Sequence, residues 1–376
     1  MSIYLDHAAT TPVCAEAARA AFEVMTEGYG NPSSGYPLGK AAGRRLEADR
    51  MVIAGALGCL PEELFFTSCG TEGDNWAISA AVELGRRKGG RIVTTAIEHS
   101  AVLEPIKALQ SKGFEVTWLK PDKAGRIDPG AAAEAIRPDT ILVSMMLVNN
   151  EVGSILPVRA AADAIRAAGA PALLHVDAVQ GFLKVPFTPG ELGADFVTVC
   201  GHKVRAPKGI GGLYIRKDLI PRVKPLLLGG GQERGLRPGT EATAQIAAFA
   251  AAVEAWVPGT REHIRAVKDY AADTLSAIRG VELISRGDAP HILPLTVPAF
   301  SGESLVRALG EKGVYLSSGS ACHRGRPSHV FAAMPLTPKQ RFGALRVSFG
   351  PDSTREEVDT LAGLLADITQ RGSLLS

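Results

Sequence analysis

Two residues at the ends of apolar runs carry the first chemical signal. Phe196-Val197-Thr198-Val199 is β-branched and apolar, the pattern of a buried strand, and it leads into Cys200-Gly201-His202-Lys203. An ammonium just past a buried strand is costly to desolvate, so its pKa falls and the free amine can condense with an aldehyde. Taken alone, Lys203 reads more simply as a surface lysine at the start of a loop. Asp177 closes a second such run, Leu173-Leu174-His175-Val176-Asp177. A lone carboxylate there needs a cation or strong donors. A protonated pyridine nitrogen is one such cation. Asp177 to hold that proton and Lys203 to form a Schiff base are the two electronic needs of pyridoxal phosphate. A nicotinamide enzyme would want G-x-G-x-x-G opening an early βαβ unit, and the chain has none.

Three further loops follow apolar runs. Phe65–Asn75 passes through Cys69-Gly70-Thr71 into a helical pattern, and free N–H groups there, with the Thr71 hydroxyl, would suit a phosphate. Glycine turns before helices are common, so this loop alone decides nothing. His99 follows the run at Arg91 and could stack on a ring, move protons or serve structure. Asn149-Asn150 could contact substrate, although paired asparagines more often simply form turns.

The elements that must position these residues alternate along the chain. Helical stretches at Ala15–Thr26, Gly39–Ala56, Thr71–Lys88, Ser100–Gly113 and Arg159–Ala168 are interleaved with short apolar runs. Those runs are Glu63–Thr67, Arg91–Thr94, Glu115–Leu119, Ile141–Leu147, Ala172–Val176, Phe196–Val199 and Gly212–Ile215. The alternation predicts an α/β layer with a mostly parallel sheet, whose functional groups belong in loops after the strands' carboxyl ends. A long helix over Glu241–Val257 precedes a change of character near Pro258-Gly259. Beyond it lie a helix at Arg261–Arg279, runs at Val281–Ser285 and Ile292–Val297, and a helix near Ser304–Lys312. Val314–Leu316, Ala344–Phe349 and a helix at Arg355–Arg371 complete a smaller α+β part. The expected division is a large domain over 16–257, with 1–15 and 258–376 forming the small one.

Composition bounds the partners. With 376 residues, two domains are expected, and 46% hydrophobic against 21% charged is ordinary for a soluble chain with a large core. Lys plus Arg (41) nearly balances Asp plus Glu (39), so neither nucleic acid nor an anionic membrane is expected as a partner. The N-terminus shows no secretory pattern, and the five cysteines are scattered without a Cys-x-x-Cys pair. The expectation is a reducing, cytoplasmic setting without disulfides or a metal site.

Read together, the motifs resemble those of the cysteine desulfurases, class V aminotransferase-fold enzymes that use pyridoxal phosphate. The matching segments run in family order from YLDHAATTP (Tyr4–Pro12) through YGNPSS (Tyr29–Ser34), EHSAVLEP (Glu98–Pro105), VNNEVG (Val148–Gly153) and HVDAVQ (His175–Gln180). They continue with GHK (Gly201–Lys203), GGGQERGLRPGTE (Gly229–Glu241), SSGSAC (Ser317–Cys322) and LRVSFG (Leu345–Gly350). The resemblance implies an aspartate aminotransferase-like fold (fold type I), a homodimer and a PLP-dependent transferase. It implies Lys203 as the cofactor's covalent anchor, Asp177 on the pyridine nitrogen, Gln180 on the phenolic oxygen and His99 over the ring. Gly70, Thr71 and His202 would hold the phosphate, with Thr240 reaching it from the partner subunit. Arg346 would clamp the substrate carboxylate, beside Asn150 and Asn31. Cys322, in a small-residue loop followed by His323, Arg324 and Arg326, would be the thiolate nucleophile. L-cysteine would become alanine, and the sulfur would pass as a Cys322 persulfide to an acceptor protein such as an iron–sulfur scaffold or a tRNA-thiolation protein.

Three features depart from the family pattern. Cys200 stands where a serine or threonine usually helps hold the phosphate, and a thiol is a poorer donor. Cys69 stands where glycine or alanine is usual. The segment after Cys322 reaches Pro327-Ser328 about two residues early and is basic. A selenocysteine lyase or another class V activity would also keep Lys203 and Asp177. A non-catalytic partner retaining the fold would have no need of Lys203, Asp177, Cys322 and Arg346 together.

Overall fold

The computed structural model describes residues 2–318 and 328–373. Seven strands form its main sheet in the order Leu64–Thr67, Gly211–Ile215, Phe196–Cys200, Leu173–Asp177, Thr140–Ser144, Arg91–Thr95, Glu115–Leu119. Pairing is parallel from Phe196–Cys200 outward to Glu115–Leu119, while Gly211–Ile215 runs antiparallel to both neighbours. The expected mostly parallel sheet is therefore present. Its strands are apolar on both faces because both faces are covered. Phe65, Ile92, Leu142 and Phe196 join one buried cluster, and their successors Phe66, Val93, Val143 and Val197 join another. A side-chain period of two requires that split.

A second, three-stranded antiparallel sheet is ordered Ala344–Ser348, Ile292–Thr296, Glu282–Leu283. Helices Thr260–Ser276 and Arg355–Ser373 pack on one another beside it. Its apolar cluster draws on Ile264, Leu293, Val347 and Leu361, and also on Leu5 from the other end of the chain. The initial strand Ile3–Tyr4 pairs in parallel with Val314–Tyr315. The loop after Ile3–Tyr4 is thus held beside this sheet, from which it reaches the turn that carries Lys203.

Several elements differ from expectation. The predicted run Ile141–Leu147 is a strand only at Thr140–Ser144. Beyond it the chain still bonds the neighbouring strand, Met145 N to His175 O (3.1 Å) and Leu147 N to Asp177 O (2.8 Å), while turning toward the loop that holds Asn150. The predicted helix Glu241–Val257 is shorter, Thr243–Glu254. Short helices at Pro129–Ala135, Pro189–Leu192, His329–Ala333 and Pro338–Phe342 were not expected. Among the described residues no helix is long and apolar enough to cross a membrane.

Candidate active site

Lys203 ends the short 3-10 turn Gly201–Lys203 that directly follows strand Phe196–Cys200. The turn is tight: a Cβ on Gly201 would lie 2.8 Å from Ile210 Cγ2 and 3.0 Å from Ala206 Cβ. Thr11 clasps the same turn, its Oγ1 donating to His202 O (2.9 Å) and accepting from Arg205 N (2.8 Å). That clasp sets the backbone of Ala8 and Ala9 over the lysine, whose Nζ donates to their carbonyls at 2.7 and 2.6 Å. Burial, then the nearby Arg346 guanidinium, lower Lys203 to about 8, against opposing pulls from Cys200, Asp6 and Asp177. The free, nucleophilic amine is therefore available much closer to neutral pH than on an ordinary lysine.

Asp177 lies at the carboxyl end of the next strand. It is 5% exposed, and Oδ1 accepts one backbone bond from Val179 N at 2.9 Å. Among the described residues it has no ion-pair partner. Burial, then the neighbouring Asp74 carboxyl, push it up to about 7. Asp74 is itself raised to about 7 by burial, and its Oδ1 stands 3.3 Å from His175 Nε2, a ring that burial lowers to about 4. Such a carboxylate is electrostatically incomplete: it lacks the cation that would hold it ionised.

His99 N-caps helix Ser100–Ser111, its Nδ1 accepting from Ala101 N at 3.2 Å. Burial, foremost, depresses its pKa. A neutral ring accepting at Nδ1 carries its proton on Nε2. Helix Gly70–Gly85 starts at the same place with no side-chain cap from Cys69, leaving its first amides to another acceptor. Gly70 has no room for a side chain, since a Cβ would meet Val179 Cγ2 at 2.9 Å. His202 is pushed down to about 3 by burial and by Lys203, and its Nδ1 pairs with Thr10 Oγ1 at 3.1 Å. Cys200 is buried and its thiol donates to Ile210 O at 3.5 Å, so its one proton is engaged away from a phosphate.

Arg346 comes from strand Ala344–Ser348, where Leu345 and Val347 enter the core and Arg346 alternates away from it. Nη1 donates to Asn150 O (2.7 Å), and Nη2 to Asp6 Oδ1 (2.8 Å) and Ser317 Oγ (3.1 Å). Its Nε and the Asn150 Oδ1 are buried without a partner among the described residues. A guanidinium held rigidly with a spare donor suits a carboxylate.

Gly70, Thr71, His99, Asn150, Asp177, Gln180, Cys200, His202, Lys203 and Arg346 all line one cavity of about 290 Å³. Two predicted residues stand elsewhere in this chain. Asn31 is exposed and its Oδ1 accepts from Ser33 N at 2.9 Å. Thr240 lines a separate cavity of about 240 Å³ with Ser68 and Arg237. Cys322 lies outside the described residues. Asp74, Glu151 and His329 also line this cavity and were missed by sequence reasoning. Asp74 had a signal, since it lies three residues after Thr71 on the same helix face. Glu98 is fully buried and raised to about 8 by burial, and His329 Nε2 donates to its carbonyl at 2.8 Å. No spacing pattern connects those two.

The residues present fit pyridoxal phosphate. Asp177 lacks the cation that a protonated ring nitrogen would supply, the uncapped helix start would take the phosphate, and Lys203 provides the amine.

Comparison with known proteins agrees with that chemistry. Residues 3–361 match the family model Aminotransferase class-V. The chain belongs to the class V aminotransferase family. Within it, the sequence is 38% identical over 377 residues to a cysteine desulfurase IscS from Methanosarcina thermophila, covering 98% of this chain and 92% of that protein. Among solved structures, a NifS-like protein superposes with a TM-score of 0.92 at 35% identity, covering 98% of this chain and all of that one. SspA in complex with cysteine gives 0.82 at 30% identity, covering 94% and 100% respectively. At this identity and coverage the chain groups with the cysteine desulfurases.

Proposed function

We propose that this protein is a pyridoxal-phosphate-dependent cysteine desulfurase that converts L-cysteine to L-alanine and retains the sulfur as a persulfide on Cys322. The reading rests chiefly on one observation: an arginine with a buried, unpartnered donor lines the same cavity as a depressed lysine and an incompletely paired aspartate. Bound there, pyridoxal phosphate supplies an electron sink next to the substrate's α-carbon. The protein's own residues do the rest. Asp177 holds the proton of the ring nitrogen, His99 covers the ring, and Gly70, Thr71 and His202 receive the phosphate. Gln180 donates to the ring oxygen. Arg346 and Asn150 orient the substrate carboxylate, and Lys203 Nζ, close to neutrality in its pKa, moves the α-proton. Cys322, with His323 and Arg324 beside it in sequence, takes the sulfur as its thiolate. A homodimer in which the partner contributes Thr240 accords with Thr240 lying outside this chain's own cavity. The sulfur then passes to an acceptor protein, an iron–sulfur scaffold being the proposed recipient.

Incubating cofactor-loaded protein with L-cysteine and a thiol reductant should yield sulfide and alanine in equal amounts. Alanine without sulfide, or neither product, would contradict the reading. Parallel assays with L-selenocysteine separate a lyase, which would show strong preference for selenium.

Arg346→Lys should raise KM for L-cysteine about 10- to 100-fold with a smaller change in kcat, because a point charge replaces a planar fork held by three partners. Steady-state kinetics check this. An unchanged KM would remove Arg346 from the substrate site.

A further inference from the structure

Gln180 lines the cavity, but most of its side-chain amide is engaged on the protein side. Nε2 donates to Ala8 O at 2.8 Å, and Ala8 O also receives Lys203 Nζ. Oε1 faces two groups: His291 Nε2 at 3.1 Å and Lys184 Nζ at 3.5 Å. The orientation follows from what each neighbour can do. A backbone carbonyl only accepts, so the atom beside Ala8 O must be the amide nitrogen. A lysine only donates, so the atom beside Lys184 must be the amide oxygen. His291 must then donate through Nε2. One N–H of Gln180 is left over.

Neither clamp residue has a more obvious occupation. Lys184 is 3% exposed, and no ion pair to it occurs among the described residues. It is lowered to about 7 by burial and by Lys203, with Cys200 opposing. His291 is fully buried beside strand Ile292–Thr296, and its Nδ1 has no partner among the described residues. Burial foremost, then Lys184, Lys268, Arg346 and His7, keep it uncharged. An unpaired buried lysine and a half-satisfied buried histidine are costly to maintain. Both costs fall on one amide.

We propose that His291 and Lys184 are positioning residues that lock the Gln180 amide with its oxygen turned toward them, so that its remaining N–H is presented to the ring oxygen of the bound cofactor. The inference rests on the reading of this cavity as a pyridoxal phosphate site. His291 immediately precedes strand Ile292–Thr296 of the three-stranded sheet and Gln180 lies in the loop after Asp177, so the lock joins the edges of the two sheets at the cofactor. Without it only the Ala8 carbonyl still opposes a turn of the amide that would set its oxygen against the ring oxygen.

The test reads the bound cofactor rather than turnover. An N–H donor stabilises the anionic ring oxygen, so losing it should raise the pH midpoint of the cofactor's visible band. His291→Leu should raise the midpoint by about one unit, a tenfold change in the equilibrium. Lys184→Met should raise it by less, and His291→Gln, which keeps a donor of similar reach, should restore it. Once Gln180→Leu has removed the amide, adding His291→Leu or Lys184→Met should move the midpoint no further. An unmoved midpoint in His291→Leu, or a Lys184→Met shift of equal size in the Gln180→Leu background, would overturn the proposal, the latter because it would reveal a direct charge effect. If His291→Leu does not fold, Lys184→Met with and without Gln180→Leu decides alone. Wild-type protein that acquires no visible band with pyridoxal phosphate would instead refute the underlying reading, and the lock with it.

Discussion

Lys203→Ala should lose turnover by about 10³-fold or more, while still binding pyridoxal phosphate without covalent attachment. In the proposed reading the amine is both the nucleophile that captures the aldehyde and the group that moves the α-proton. Its two carbonyl contacts, to Ala8 and Ala9, aim it, and burial lowers it to about 8. The sign of the pH dependence follows. Only the unprotonated amine attacks, so covalent capture by cofactor-free protein should speed up as pH rises and level off above about 8. An ordinary lysine would still be accelerating well above pH 9. Borohydride reduction of loaded wild-type protein followed by peptide mapping should place the label on Lys203. A label on Lys208 or on the buried Lys184 would displace Lys203 from its role.

Cys322→Ser should also abolish sulfide production, but for a different reason and with a different signature. In the proposed reading, labilising the substrate falls to Lys203, Asp177 and Arg346, all of which this substitution leaves unchanged. Taking the sulfur requires a thiolate, and a serine hydroxyl is neither ionised near neutral pH nor comparably nucleophilic toward sulfur. The variant should therefore bind L-cysteine with the spectral change of the wild type and exchange its α-proton with solvent. Sulfide release should fall by about 10²-fold or more. Cys69 and Cys200 both line the same cavity, so each is a potential rival acceptor. Burial raises the Cys200 thiol and engages it with Ile210 O, which makes it a poor nucleophile. Full sulfide release by Cys322→Ser would redirect the assignment to Cys69.

The sequence exposed those parts of the site that sit at strand ends. Lys203 and Asp177 could be read because a buried β-branched run leaves a charge conspicuous at its close, and both lie in the cavity. His99 was visible as a candidate after the run at Arg91, with a structural role equally open, whereas Gln180 and Arg346 needed the family resemblance, since each is an unremarkable residue in its local sequence. His291 and Lys184 could not be read at all: their importance depends on an amide 111 residues from one and four from the other. Fold elements show the same division. Long amphipathic helices were legible, whereas Pro129–Ala135, Pro189–Leu192 and Pro338–Phe342 are too short to display a period. Each of those three nonetheless announces itself by a capping Asp128, Thr188 or Thr337 before a proline at the first helical position. The strand expected at Ile141–Leu147 stopped early because apolar sequence continues where the chain turns toward Asn150, and hydrophobicity alone does not mark that turn.

A single turnover without reductant tests the central claim most directly. Loaded protein mixed with one equivalent of L-cysteine per site should form one alanine per site and release almost no free sulfide. Digestion and mass mapping should then find the persulfide on the peptide containing Cys322. Alanine formed with the extra sulfur on Cys69 or Cys200, or with no persulfide anywhere on the chain, would contradict the account.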